Sequence, residues 1–159
     1  MITRFYSKIK TFLKQHSNHG YQGYQGRNSF IQHLVVFAEE DLAFGFKVAK
    51  EVSRLEIGQT VVVKDGTVLA LEGFEGTDQC LQRGGELAGS KGGATAVKVA
   101  KANHDLRFDL PCIGDRTVET CARAGISALG FEAGRTILLE QAEVEKLCKK
   151  HNVALAALA

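Results

Sequence analysis

The sequence predicts a single α/β domain built on a mixed sheet, with a β-hairpin and flanking helices, and three observations predict it. First, 159 residues of which 45% are hydrophobic and 24% charged can bury one proper core but are too few for two ordinary domains. Second, the runs Thr60-Val-Val-Val63 and Val68-Leu-Ala-Leu71 flank Lys64-Asp65-Gly66, and an Asp-Gly between two β-rich runs is a hairpin signal. Third, segments with helical spacing alternate with short apolar runs throughout the rest of the chain.

The order begins with residues 2–16, where Ile2, Phe5, Tyr6, Ile9, Phe12 and Leu13 fall at helical spacing among Arg4, Lys8 and Lys14. Residues 1–19 are therefore expected to form a basic amphipathic helix. It suits three roles: lying on an anionic membrane surface, serving as an organelle import peptide, or docking on the body of the protein. Residues 20–40 follow as a linker and lead-in. Their Gly20-Tyr-Gln-Gly-Tyr-Gln-Gly26 repeat places three glycines in seven residues, which will not hold a helix.

Residues 41–159 make up the expected folded domain. Asp41 is placed to cap a helix carrying Leu42, Phe46, Ala49, Val52 and Leu55 on one face and ending near Gly58. The hairpin comes next, and its unbroken apolar runs suggest strands covered on both faces. A helix of about ten residues then runs through Cys80 and Leu81, with Thr77 placed to cap it and Asp78 in its positive first turn. Gly84-Gly-Glu-Leu-Ala-Gly89-Ser90-Lys91 has the glycines of a phosphate loop, but Ser and Lys stand in the wrong order and a helix precedes it, so it reads as a glycine-rich turn.

Ala94-Thr-Ala-Val97 is a buried strand candidate. Pro111-Cys-Ile-Gly114 turns the chain into a helix capped by Asp115, carrying Val118, Cys121 and Ala122, and stopped by Gly125. Ala128-Leu-Gly-Phe131 and Thr136-Ile-Leu-Leu139 are short strand candidates. A final helix from about Glu140 to Lys150 uses Val144, Leu147 and Cys148, with lysines near its negative end.

Charge and cysteine usage narrow the function classes. The formal charge of +2 is unevenly spread: residues 1–38 hold five Lys/Arg and no acid, and the remaining fifteen basic and eighteen acidic residues leave −3 on the body. A net acidic body with no recognition motif argues against a nucleic-acid partner. Cys80, Cys112, Cys121 and Cys148 show neither a C-x-x-C pair nor metal-type spacing with the histidines. Reduced, buried thiols in a cytoplasmic protein are the expectation, since a chain of this size needs no staple. No apolar run reaches the ~18–20 residues that cross a bilayer.

Chemistry concentrates in Lys98-Val-Ala-Lys101-Ala-Asn-His104-Asp105-Leu-Arg107-Phe-Asp109-Leu-Pro111. A segment that leaves a buried strand and at once becomes densely charged is where a scaffold presents reactive groups. Lysine and arginine suit phosphate oxygens, and aspartates can hold a hard cation or orient a water. An edge strand with solvated charges is the plain alternative.

The assembled motifs resemble the LpxI-type UDP-2,3-diacylglucosamine pyrophosphatases, in their C-terminal domain. The matching segments are Ile57-Gly-Gln-Thr-Val-Val-Val-Lys-Asp-Gly-Thr-Val-Leu-Ala-Leu-Glu72, Glu75-Gly-Thr-Asp78, Lys98-x-x-Lys101, Asp105-Leu-Arg-Phe-Asp-Leu-Pro111, Gly114-x-x-Thr117-Val118, Ala124-Gly125 and Glu132-Ala-Gly134. They occur in the family's order over about residues 41–150. The family pattern has Lys-Pro-x-Gln-Asp where this chain has Lys101-Ala-Asn-His-Asp105, which places a titratable ring beside the aspartate.

The resemblance implies a Mg²⁺-dependent hydrolase that cleaves UDP-2,3-diacylglucosamine to 2,3-diacylglucosamine 1-phosphate and UMP in lipid A synthesis. Asp105, Asp78 and Lys101 are then the expected catalytic residues. Lys98, Arg107, Thr77 and Arg135 are expected to bind substrate, and Asp105, Asp78 and Glu75 to hold the metal. Asp109 is expected either to support Asp105 from behind or to be merely structural, and turn or capping roles would account equally for Glu75, Asp78 and Glu132. Family members carry a further α/β domain before the matching region, so a homodimer or a separately encoded N-terminal domain is an expected partner. Peripheral membrane contact is expected as well. The competing expectation is a non-catalytic binding or partner module whose basic N-terminal helix docks on a membrane or protein.

Overall fold

The computed structural model describes the backbone of residues 28–101 and 111–159, with side chains from Ala38 onward. The expected amphipathic helix of residues 1–19 and the tandem glycine repeat lie outside the described residues, as does the charged segment between Lys101 and Pro111. All packing discussed below falls within the unit Ala38–Ala159.

Helix α1 (Asn28–Arg54) begins well before Asp41. Asp41 is therefore not its cap but a mid-helix residue, 4% exposed, whose carboxylate accepts the backbone N–H groups of Asp65 at 2.9 Å and Gly66 at 2.8 Å. Strands β1 (Thr60–Lys64) and β2 (Thr67–Leu71) form the expected antiparallel hairpin. Its turn residues Asp65 and Gly66 both have positive φ, 50° and 71°, the requirement of the tight turn that Asp-Gly favours. The strand pair is not equally covered: β1 is buried almost throughout, whereas β2 forms an edge and exposes Thr67 and Leu71.

Helix α2 (Thr77–Leu87) leads to β3 (Ala94–Lys98). Next come β4 (Cys112–Ile113), α3 (Asp115–Arg123), β5 (Ile126–Glu132), β6 (Ile137–Leu138), α4 (Gln141–His151) and β7 (Ala154–Leu158). The main sheet has the order β2-β1-β3-β5-β7, antiparallel through β1 and parallel across β3, β5 and β7; β4 and β6 make a separate parallel pair. This is the mixed α/β architecture expected from the sequence.

Strand alternation divides the core into two layers. Val62, Ala96 and Leu129 pack with Leu81, Val118, Cys121, Val144 and Cys148 from α2, α3 and α4. On the opposite face, Gly45 of α1 lies so close to Val97 and Val63 that a side chain there would meet them at 2.9 and 3.3 Å. Leu55, expected on the buried face of α1, lies just past its end at Arg54 and is 57% exposed.

Several boundaries differ from the sequence expectation for identifiable reasons. Gly84 and Gly85 are not a turn; they lie inside α2, both buried. There they allow the helix to approach Val62 and Ala124, which a Cβ would meet at 2.6 and 2.0 Å. Thr77 and Asp115 are not caps either: Gly76 and Gly114 hold the N-cap positions of α2 and α3, with no capping side-chain hydrogen bond. Cys112 and Ile113, expected in a turn, instead pair with Ile137 and Leu138. Strand β7 carries no local β signal, because Ala154-Leu-Ala-Ala-Leu158 lacks β-branched and aromatic residues; its place comes from pairing with β5. Among the described residues, no helix is long and apolar enough to cross a membrane.

Candidate functional site

In open parallel sheets, ligands gather beyond the carboxyl ends of the strands. Lys98 is the last residue of β3 and pairs with Thr60 of β1 on one side and Phe131 of β5 on the other. Its ammonium donates to the Cys112 carbonyl at 3.4 Å, two residues before Gly114 at the start of α3. The Val99 N–H still bonds to backbone, at the Gln59 carbonyl, and both Val99 and Ala100 are fully buried.

Beyond Val99, side chains take over as partners. The Ala100 N–H donates to Glu132 Oε2 at 3.0 Å, and its carbonyl accepts from Ser53 Oγ at 3.1 Å. The Lys101 carbonyl accepts from Arg135 Nη2 at 3.5 Å. Glu132 is 7% exposed, and its other oxygen accepts from Lys50 Nζ at 2.8 Å with Arg135 Nη1 at 3.7 Å. A carboxylate so nearly enclosed is stable only with such partners.

Glu72, 8% exposed, is the matching acid after β2. It accepts from the Thr77 hydroxyl at 3.1 Å and from the Gln59 N–H at 3.3 Å, while the Thr60 and Thr77 hydroxyls lie 3.4 Å apart. Asp78, in the first turn of α2, is ion-paired with Arg116 of α3 at 2.7 Å, so the first turns of the two helices meet. Glu75 turns instead to Arg83, which also donates to the Leu71 carbonyl. The hydrogen bond from Arg83 holds the Glu75 carboxyl below its ordinary pKa.

The structure thus brings Lys98, Lys101, Thr77, Asp78 and Arg135 to one end of the sheet, with Glu75 beside them at the β2 edge. Asp105, Arg107, His104 and Asp109 lie outside the described residues. Sequence reasoning gave no site role to Glu72, Ser53, Lys50 or Arg116, and read Glu132 as equally suited to a turn. The available signal was that Glu72 and Glu132 each follow an apolar strand directly, where an acid faces the carboxyl edge.

Among the described residues, no group of three His, Cys, Asp or Glu side chains is placed to hold a metal ion. Asp78 and Glu75 each already face a guanidinium, so the described residues do not by themselves fit a divalent cation. A separate open cleft of about 590 Å³, lined by Gly85, Gly89, Lys91, Arg123 and Gly125, lies at the amino ends of β3 and β5. None of the residues singled out from the sequence for chemistry lines it.

Comparison with known proteins bears on this arrangement. The family model described as the LpxI C-terminal domain matches residues 34–156. The UDP-2,3-diacylglucosamine pyrophosphatase LpxI of Caulobacter vibrioides is 38% identical over 110 residues, an alignment covering 65% of this chain and 39% of that protein. The chain therefore spans about two fifths of the length of this curated relative. Two structures of Acinetobacter baumannii RibD, forms 1 and 2, are 15% and 14% identical, with TM-scores of 0.43 and 0.44; each match covers 76% of this chain and 35% of the other.

Proposed function

The chain belongs to the LpxI C-terminal domain family, and on that premise we propose that it hydrolyses the diphosphate of UDP-2,3-diacylglucosamine to 2,3-diacylglucosamine 1-phosphate and UMP in lipid A biosynthesis. The reading is supported by the ordered motifs and by the 38% identity to a protein that carries that activity in its name. The observation that carries it is the position of Lys98 at the carboxyl end of β3, its ammonium 3.4 Å from the Cys112 carbonyl as the chain approaches the start of α3.

In the reaction, a water oxygen bonds one phosphorus while the bond from that phosphorus to the bridging oxygen breaks, and the bridging oxygen departs on the other phosphate. Negative charge accumulates on the phosphoryl oxygens, so cations and backbone N–H dipoles aimed at them lower the barrier. Lys98, Lys101 and Arg107 are the proposed cations, with Thr77 and Arg135 binding substrate. The first turn of α2, where no side chain caps the helix, adds N–H groups suited to an anion. Asp105 is the proposed carboxylate that orients water.

Mg²⁺ belongs to this proposal as a further source of charge neutralisation when bound. Asp105 is the carboxylate assigned to it, and Asp78 or Glu75 would join only by leaving Arg116 or Arg83. A substrate with acyl chains and a polar nucleotide suits a cytoplasmic protein that meets the membrane peripherally.

The test is UMP release from UDP-2,3-diacylglucosamine, followed with and without Mg²⁺. Wild-type protein is expected to release UMP in a metal-dependent manner, and Asp105→Ala and Lys98→Ala to lower the rate by about 100-fold or more. No release by wild type, or Asp105→Ala equal to wild type, overturns the reading.

A further inference from the structure

We infer that Glu132, acting with Ser53, is a positioning residue that sets the direction in which Lys101 leaves the sheet and so delivers its ammonium to the diphosphate. The inference rests on the hydrolase reading above. It goes beyond that reading by assigning a catalytic consequence to side chains that make no contact with the reacting atoms.

Its basis is the change of hydrogen-bond partner at the end of β3. Up to Val99, the chain is held by backbone partners in β1 and β5 or by the Gln59 carbonyl. From Ala100 on, three backbone groups of two successive residues are served by three side chains from different parts of the fold. Glu132 from the end of β5 takes the Ala100 N–H at 3.0 Å, and Ser53 from α1 takes the Ala100 carbonyl at 3.1 Å. Arg135, from the turn after β5, takes the Lys101 carbonyl at 3.5 Å.

Ala100 is fully buried, so water cannot replace Glu132 and Ser53 at its two backbone groups. Fixing both the N–H and the carbonyl of one residue fixes the orientations of the peptide planes on either side of it. The second of those planes is the one from which Lys101 extends.

Glu132 is in turn held in place. Lys50 at 2.8 Å and Arg135 at 3.7 Å bracket one of its oxygens, leaving the other for Ala100. Simple satisfaction of a buried amide would not call for a nearly enclosed carboxylate, because a neutral acceptor does that without the desolvation of a charge. The charge lets one side chain join α1, the end of β5 and the exit of β3 through Lys50, Arg135 and Ala100.

A double-mutant cycle tests the inference, using UMP release by the full chain with Glu132→Ala, Glu132→Gln, Ser53→Ala, Lys101→Ala and the combination of each with Lys101→Ala. If Glu132 acts through Lys101, Glu132→Ala lowers kcat by about 100-fold with KM within about 3-fold, the scale expected when a reacting group is misplaced by an ångström. Glu132→Gln keeps an acceptor for the Ala100 N–H and is expected to stay within about 10-fold of wild type. In the Lys101→Ala background each change then adds less than about 2-fold, because the group it positions has already gone.

Should Glu132→Ala fail to fold, Ser53→Ala, which frees the Ala100 carbonyl, runs the same cycle. Losses that multiply in full with Lys101→Ala, or Glu132→Ala or Ser53→Ala equal to wild type, overturn the inference while the hydrolase reading stands. A wild-type protein that releases no UMP overturns that reading, and this inference with it.

Discussion

Asp41 reaches out of the middle of α1 to accept the backbone N–H of Gly66 at 2.8 Å, with the Asp65 N–H on its other oxygen at 2.9 Å. A helix carboxylate thereby seats a hairpin turn 25 residues away in the chain. Bonds to an ionised acceptor are stronger than neutral ones, but the turn is solvent-exposed and water can replace part of the loss. Asp41→Ala is expected to cost about 2 kcal/mol and Asp41→Asn, which keeps one acceptor oxygen, about 1 kcal/mol. Urea unfolding measures both, and an Asp41→Ala midpoint equal to wild type would show the contact to be dispensable.

Glycines in α2 and in the hairpin turn resist the same methyl group for different reasons. At Gly85 an added Cβ would stand 2.0 Å from the Ala124 carbonyl oxygen, and at Gly84 it would stand 2.6 Å from Cβ of Val62, whose branched side chain cannot swing aside. Alanine gains about 1 kcal/mol of helix propensity over glycine, but overpacking of about 1–3 kcal/mol outweighs it at both positions. At Gly66 the space is open and only the positive φ of 71° opposes the substitution, so Gly66→Ala should cost about 1 kcal/mol. Thermal denaturation ranks the three variants, and a stabilised Gly85→Ala protein contradicts this packing.

Burial pushes the thiols of Cys80 and Cys121 from 9.0 up to about 12 and that of Cys148 to about 11. In the folded state each keeps its proton through the range in which the unfolded chain loses it. Between pH 9 and 11 the unfolded state therefore binds fewer protons, and stability falls as pH rises; below pH 9 the contribution is fully present. The urea midpoint is expected to hold steady from about pH 7 to 8.5 and then decline, with Cys80→Ala flattening the decline. Alkylation gives a second reading: Cys112, half-buried, should react before the three enclosed thiols.

The ion pair of Asp78 with Arg116 joins two exposed or half-exposed side chains, 31% and 82% accessible. Pairs of this kind contribute about 0–1 kcal/mol, so Asp78→Ala should leave the unfolding midpoint nearly unchanged. If Asp78 serves the reaction as proposed, the same variant lowers UMP release by about 10-fold or more. Activity equal to wild type would leave Asp78 with only its pairing role.

How much of this could be read in advance differs between elements. The hairpin was legible because Asp65-Gly66 states its own turn geometry, and α4 because its apolar spacing and terminal lysines are local signals. The start of α1 was not, since Asp41 has the chemistry of a cap and only the hairpin folded against it reveals its actual partner. Gly84-Gly85 read as a turn for the same reason: two glycines weaken a helix locally, and the close approach that requires them comes from β1 and α3.

By itself the sequence determined the α/β class, the buried strands, the hairpin and, through motifs in a fixed order, membership of a family whose model matches residues 34–156. Each of those is a property of neighbouring residues or of their succession. Only the tertiary structure decided that Glu132 and Ser53, 32 and 47 positions from Ala100, meet at its two backbone groups, and that Asp78 faces Arg116. The physical reason is that a charge or hydroxyl carries no mark of its distant partner. The partner is chosen when strands pair and helices close over the sheet, bringing together groups that could not remain buried alone.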